Sequence, residues 1–500
     1  MHFLFLDPFA AVGGYHKSLV TLGQEFLRLG HSMTFVHCQE AMSTGCTGMN
    51  ALGVPDEALA SSKQEICRLC MDQARASEKL GLWETRWLLP ARGPSLKSRV
   101  AQIPRLAAYE LLLQKKVESI PQRGQFQKIW KLRQKRLREI MPQAEKLLSE
   151  KKTDGIVCYN SLYGIHHLFL KIGQKRGIPT LCLHHSFNCA REDEYMLFRG
   201  HVFDFLNKLR KNYEPHRPIS PYEMRAIQAN SQALMAGKKP WAYSSPPKKH
   251  ETAEATLNYT KKVLVCLSSP DEVFSAQFLG VLPSKNKHVF ADQIVWVRWI
   301  RGLAQRNPHV LFWIRPHPRL YPNKREGQIS ELAGKLNRER TRRAPPNFYW
   351  PHQEIQGSLW QHLKNTDILF NAWSTIADEF GKTGIPVISF FPHLNNSQFL
   401  VDITGKTKTD YERKFSEALK SGKSSHSTKH YIRWLGDFLC TQSFRLKTKP
   451  PLIFKMLKIF RLGLCEEKMH LGLLAKKKGS LDNLNLNRAL CATLENSKYD

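Results

Sequence analysis

The segment FWIRPHPRLYP, residues 312–322, ends an apolar run in two arginines, two prolines and one histidine. Proline fixes φ and removes a backbone donor, so Arg315-Pro316-His317-Pro318-Arg319 makes a stiff loop with pre-positioned side chains. Arginine offers a planar, permanently charged fork that matches phosphate oxygens, and histidine adds a further donor. A rigid cationic tip of this kind suits a phosphate group. On this loop alone, a structural turn with exposed basic residues is an equal alternative. Further on, ILFNAWSTIADEFGKTGIPVISFF sets Ser374 and Thr375 before a helical stretch. There they would cap the helix, and its free N–H groups and dipole would favour an anion. Glu379 lies one turn into the same helix, where a carboxylate takes two vicinal ribose hydroxyls. Plain capping and a solvated helix residue are the alternatives. Two anion-suited loops with a carboxylate read together as a nucleotide-diphosphate site.

The elements that would position these motifs alternate between strand and helix. Residues 2–7 read as a strand, Phe9 to Gly14 as a small-residue loop, and Tyr15 to Leu29 as an amphipathic helix. Residues 33–37 are the next strand, which completes a βαβ unit with Gly13 and Gly14 in its cleft loop. The loop is not G-x-G-x-x-G, so it carries no dinucleotide fingerprint. From 56 to 150 helical patterning replaces strands. In QFQKIWKLRQKRLREIMPQAEKLL the apolar residues recur at helical spacing and Lys128, Lys131, Arg133, Lys135, Arg136 and Arg138 fill much of the rest. That is a solvated face on a packed helix, or a surface for anionic lipid or a polyanionic acceptor. Strands return at 154–160 and 177–185. The stretch 236–261, rich in proline, serine and lysine, reads as a linker.

A second α/β series follows, with strands at 262–269, 309–314, 347–351, 366–372 and 385–391 and helices at 290–306, 356–365 and 375–382. The expected fold class is α/β, with two α/β domains joined by a linker, plus helical additions. Residues 1–235 would form the first domain with a helical insertion at about 56–150, and 262–400 the second. Residues 401–500 would form a basic helical C-terminal region.

The chain has 500 residues, an apolar content of 42% and a formal net charge of +32. That length implies two domains or more, and that charge implies anionic partners. Neither a helix-turn-helix, a zinc finger nor a repeated aromatic platform is visible, so no specific nucleic acid is expected. Eleven cysteines are scattered singly apart from the Cys67/Cys70 pair, as in a reduced cytoplasm. The N-terminal apolar stretch lacks a basic lead and is broken by Asp7 and Pro8, so it reads as a core strand. No run of about 18 apolar residues predicts a membrane span.

The pattern Arg315-x-His317-Pro318, followed by Ser374-Thr375-x3-Glu379-x4-Gly384-x-Pro386-Val387-Ile388, resembles capsule polysaccharide and surface-carbohydrate glycosyltransferases of GT-B architecture. SSPDE (268–272) and Asp292-Gln293 are similar to those proteins too. The likeness covers 262–392 well and 1–40 loosely. It implies two Rossmann-like domains facing a cleft, with a nucleotide-sugar donor in the second and a polysaccharide or lipid-linked acceptor in the first. His317, Ser374 and Thr375 would contact donor phosphate and Glu379 the nucleotide; Arg315 is added as a phosphate counter-charge. Such enzymes generally work without a bound metal, and no D-x-D motif is evident, so no metal or separate cofactor is expected. The catalytic base should come from the first domain. The candidates are His16, His184, His185, Glu192, Asp193 and Glu194, with His185 first and Asp193 second; a retaining enzyme would need no such base. CDP-glycerol-type glycerophosphotransferases share similar motifs but often carry Asp where Glu379 stands, and sugar-nucleotide epimerases share the architecture. A polyanion-binding protein on a decayed scaffold is the non-enzymatic alternative. An anionic donor, acceptor and inner leaflet give the excess charge a use, with peripheral membrane association through 123–152 and the C-terminal region.

Overall fold

The computed structural model describes residues 1–81, 83–90, 102–191, 193–236, 259–283, 289–322, 327–351, 359–363, 365–390, 407–423, 425–441 and 443–446. Glu192, most of the expected linker and residues 447–500 lie outside the described residues.

The first lobe is built on β1 (His2–Asp7), β2 (Ser32–Cys38), β3 (Glu84–Leu88), β4 (Gly155–Tyr159), β5 (Thr180–His185) and β6 (Glu194–Arg199). The second is built on β7 (Lys261–Cys266), β8 (Val310–Arg315), β9 (Phe348–Tyr349), β10 (Ile368–Asn371) and β11 (Val387–Ser389). A last strand, β12 (Ser443–Arg445), returns to the first sheet. The sheet orders are β12-β6-β5-β4-β1-β2-β3 and β11-β10-β7-β8-β9. The second sheet is parallel throughout; in the first, only β5–β6 and β6–β12 are antiparallel. Both lobes are therefore Rossmann-like α/β units, as expected.

The strands are apolar on both faces because helices cover both faces. In β1, Phe3 and Phe5 pack under the helix Gly13–Arg28, while Leu4 and Leu6 face the helices of the 103–175 region. In the second sheet, Val263, Phe312 and Phe370 pack against Trp296, Val297 and Ile300 of the helix Gln293–Arg306. The opposite face, with Leu264, Trp313 and Leu369, shares one apolar cluster with Met196 and Phe198 of the first sheet and Trp434 and Phe438. The last two come from the helix Ser425–Cys440. The C-terminal region therefore crosses back between the lobes.

Three elements depart from the expected plan. Strand β3 lies inside the stretch expected to be helical, at a sheet edge where only Leu88 is buried, so it leaves no apolar run to read. Strand β6 starts within the acidic cluster 192–194, whose polar residues hid the apolar run behind them. Strand β12 adds a sheet edge to a region expected to be helical, with Phe444 buried beside Tyr195.

The helix Gln125–Glu150 carries the expected basic stripe, with one exception. Arg133 is buried and bonds to Asp56 (2.9 Å) and Gln114 (2.7 Å). Truncating one partner of such a buried ion pair destabilises by about 3–5 kcal/mol.

The helix Ile103–Lys115 sits between the lobes. One side of it meets the start of the helix Gly164–Lys175, where Gly164 N–H donates to Glu110 (3.2 Å). A Cβ at Gly164 would lie 2.9 Å from the Leu106 carbonyl oxygen, so that approach needs glycine. Its other side, with Ala108, Leu111 and Leu112, packs against Phe274 and Phe278 of the helix Pro270–Leu279. The helices at 164 and 270 both begin at the carboxyl ends of strands, β4 and β7. The carboxyl edges of the two sheets are thus turned toward the same helix.

Candidate functional site

The register of the second sheet sets Arg315 beside Cys266, Cys266 beside Asn371, and Asn371 beside Ser389. All four strands end on one edge. The ends of β8 and β10 are two strand spacings, about 10 Å, apart. The loop carrying His317 and the loop carrying Ser374 and Thr375 therefore open on the same side of the sheet.

The β7 loop stands between them and is held from both sides. Gln293 accepts from Ser268 N–H (2.9 Å) and donates to the Ser268 carbonyl (3.2 Å). Ser268 Oγ donates to the Trp373 carbonyl (2.5 Å), next to Ser374. Gln293 and Ser268 are thus the residues that fix the spacing of the two candidate phosphate loops.

In the 315–319 loop the two arginines have separate roles. Arg319 is 4% exposed and is consumed by a buried ion pair with Asp271, a bond to Ser269 Oγ (3.0 Å) and one to the Leu113 carbonyl (2.6 Å). Arg315 lies at the sheet edge, where burial pulls its guanidinium down to about 10, still cationic at neutral pH. His317 Nδ1 accepts from Arg319 N–H (3.3 Å), so a neutral ring carries its proton on Nε2. Burial, then the charges of Arg319, Arg315 and Lys116, push the His317 imidazole down to about 3. The ring is a neutral donor in a field that favours an anion.

The second motif differs from expectation in one respect. The helix after β10 spans only Ile376–Gly381, and Thr375 is already in the helical region (φ −60°, ψ −13°) with no side-chain cap bond. A capping hydroxyl needs an extended residue at that position. Ser374 Oγ accepts only a long bond from Ile376 N–H (3.4 Å). The helix ends at Gly381, one residue short of the expected end, and Gly384, at φ +83°, and Pro386 follow it. Glu379 sits beside Lys382, and burial raises its carboxyl to about 8 against the pull of Lys382. That shift favours the protonated form, which donates a hydrogen bond as well as accepting one.

On the first sheet the carboxyl edge holds a group that the motifs did not single out. Asp7, the last residue of β1, is 2% exposed, and its Oδ2 lies 2.5 Å from His16 Nδ1. His37, paired with Asp7 across β1–β2, approaches the same oxygen at 3.3 Å and the Asp7 carbonyl at 3.1 Å. Burial by itself would raise the Asp7 carboxyl; the charges and hydrogen bonds of His16 and His37 outweigh it and hold it well below the usual carboxylate range. An ionised carboxylate only accepts, so Nδ1 of His16 is the donor, and in a neutral ring Nε2 bears the lone pair. That is the tautomer a general base needs. Gly13 and Gly14 form the first turn of the helix that carries His16, and a Cβ at Gly14 would meet nothing within 4 Å. They belong to the helix and not to the loop before it.

His185 ends β5 and stacks on Tyr195 (4.5 Å between centroids), with Tyr159 edge-on at 5.9 Å. Tyr159 in turn stacks on Tyr15 (4.1 Å), which precedes His16. Burial, then the His184 charge, lower the His185 imidazole to about 4. Its ring makes no hydrogen bond among the described residues, so nothing there orients it as a base. Asp193 lies on an exposed turn, where its carbonyl accepts from Leu446 N–H (3.0 Å). The first sheet edge brings His16, His185 and the two glycines together; Asp193 stands apart on the turn.

Among the described residues no group of three or more His, Cys, Asp or Glu is arranged to hold a metal ion. No helix among them is long and apolar enough to cross a membrane.

No protein-family model matches the sequence, and no curated protein matches it. Solved structures give loose likenesses. The calicheamicin glycosyltransferase CalG4 is 12% identical over 88% of this chain and 94% of its own, with a TM-score of 0.27. MurG of Acinetobacter baumannii is 11% identical over 88% and 99%, with a TM-score of 0.31. The UDP-GlcNAc 2-epimerase of Neisseria meningitidis, bound to UDP-GlcNAc, is 10% identical over 92% and 100%, with a TM-score of 0.33. Overlaps this low fix neither a family nor a chemistry.

Proposed function

We propose that the chain is a glycosyltransferase that moves a sugar from a nucleotide-sugar donor to a surface polysaccharide or lipid-linked acceptor. The observation that carries this reading is the pairing of two sheet edges turned to one helix. One bears a cationic, phosphate-suited loop at Arg315 and His317. The other bears an oriented histidine–carboxylate pair at His16 and Asp7.

The donor nucleotide lies along the second edge, its diphosphate at Arg315, His317, Ser374 and Thr375 and its ribose at Glu379. The acceptor lies against the first edge, where Tyr15 and His185 are partly exposed beside Tyr159. His16 Nε2 takes the proton of the acceptor hydroxyl, whose oxygen bonds to the anomeric carbon. The bond from that carbon to the donor phosphate oxygen breaks, and its electron pair leaves with the nucleotide. Asp7 stabilises the imidazolium that results, while Arg315 and the Nε2 proton of His317 stabilise the leaving phosphate. A single displacement of this kind inverts the anomeric configuration. This reading needs no bound metal.

The chain also suits an anionic membrane surface. Lys128, Lys131, Lys135 and Lys146 are exposed along the helix Gln125–Glu150, with Leu132 43% exposed among them. Beyond the helix end an open groove is lined by Lys151, Lys152, Arg176 and Arg199. Each lysine near an anionic leaflet adds up to about 1 kcal/mol of attraction. Sedimentation with phosphatidylserine vesicles at low salt tests this part; protein that stays in the supernatant would sink it.

A thermal-shift screen against UDP, CMP, CDP, GDP and ADP tests the transferase reading, because binding adds stability as RT ln(1 + [L]/Kd). One selective nucleotide should raise the midpoint, with and without EDTA. A preference for CDP would favour transfer of a polyol phosphate on the same scaffold. No shift with any nucleotide would refute the reading.

A further inference from the structure

We infer that Lys116, which belongs to the first lobe, is a positioning residue for the phosphate loop of the second lobe. The donor-phosphate subsite is then built from both lobes. This rests on the nucleotide-sugar reading above and deepens it.

Lys116 ends the helix Ile103–Lys115 in the left-handed region, at φ 51° and ψ 48°. Glycine takes that conformation without penalty, and a lysine does not, so the side chain has a reason to be there. It is completely buried. Its Nζ donates to the carbonyls of Tyr321 and Gln328, each at 2.9 Å, and its own carbonyl accepts from Glu331 N–H at 3.2 Å. Three residues earlier, the Leu113 carbonyl accepts from Arg319. The 318–320 turn and the polypeptide that follows it are therefore bonded to one helix end of the other lobe.

Two consequences follow. The backbone leaving Arg315 and His317 is registered against the first lobe, so loop and helix end move as one body. The ammonium charge of Lys116 also bears on His317, together with those of Arg315 and Arg319. Such a field acts on a diphosphate whatever its base.

Calorimetric titration with inorganic pyrophosphate, which is independent of the base, tests the inference on the full chain. Lys116→Met should weaken pyrophosphate binding about tenfold or more, and Lys116→Arg should hold it within about threefold of wild type. If Lys116→Met folds and binds as wild type does, the inference is overturned. So it is if Lys116→Arg is as weak as Lys116→Met, since the residue is then only a joint between lobes. Wild-type protein that binds neither pyrophosphate nor any nucleotide would instead refute the transferase reading. Should Lys116→Met not fold, hydrogen exchange of the wild type decides. Pyrophosphate should slow exchange in both 103–117 and 315–322; protection confined to the second segment overturns the inference.

Discussion

Asp7 Oδ2 serves two histidines at once, His16 at 2.5 Å and His37 at 3.3 Å. One carboxylate thus joins a strand end, the first turn of the following helix and the neighbouring strand. Because His37 also meets the Asp7 carbonyl, the carboxylate cannot rotate away from His16 without losing a second contact.

His16→Ala should lower kcat by about 10²–10⁴, the range for a lost general base. Nucleotide affinity should stay within a few-fold, since the proposed donor site lies on the other sheet. Asp7→Asn should lower kcat as well, by leaving His16 in the wrong tautomer. His185→Ala should act mainly on the acceptor KM. Steady-state kinetics with both substrates varied separates these effects; a His185 variant with the larger kcat loss would reverse the assignment of the base.

Acid should destabilise the fold well above the carboxylate range. Burial lowers His166 to about 4, His167 to about 3 and His317 to about 3. Below about pH 6.5 the unfolded chain binds protons that these folded-state imidazoles refuse, so stability falls as pH falls toward those values. Each group can contribute up to about 1.4 kcal/mol per pH unit across its window. Urea unfolding at pH 7, 6 and 5 should show a falling midpoint; a flat profile would mean the imidazoles are open to solvent.

Glu379 should behave in the opposite sense. Its carboxyl is raised to about 8, so the folded state holds a proton that the unfolded chain releases near 4.5. Its contribution is complete below 4.5 and is lost as pH rises through 8. Glu379→Gln should bind nucleotide at pH 7 about as well as wild type and should flatten the change in affinity between pH 7 and 9. Equal slopes for the two proteins would show that Glu379 does not face the nucleotide.

Arg319→Met should destabilise by about 3–5 kcal/mol, because it leaves Asp271 buried and uncompensated. Adding Asp271→Leu should recover much of that loss. Chemical denaturation of both single variants and the double variant gives the coupling directly. Additive losses would mean that the contact with the Leu113 carbonyl, and not the ion pair, is what matters.

The alternation of strands and helices was legible because buried parallel strands leave short apolar runs, as in LFWI and ILFN. The edge strand β3 was not, since a half-exposed strand leaves no such run. The stiffness and charge of the 315–319 loop could be read from its prolines and arginines. That Arg319 turns inward to Asp271 could not, because the partner lies 48 residues away. Residue type marks Ser374 and Thr375 as caps, whereas capping depends on backbone angles that the sequence does not print. The Asp7–His16 pair had a usable signal: an acid ending a strand and a histidine opening the next helix meet at the same sheet edge in any βαβ unit. His184 and His185 end an apolar strand and so carry the same kind of signal, but adjacency along a strand points the two rings to opposite faces.

The return of the chain through Ser425–Cys440 to β12 means that the lobes are connected twice, once through 237–258 and again on the way back. A single proteolytic nick in the first connection would therefore leave a second, still folded tie. The two fragments would stay together on a sizing column, and the halves could be supplied as separate polypeptides that reassemble. A truncation before Ser425 would do the reverse: it would bare the open edge of β6, a ready template for pairing with another chain.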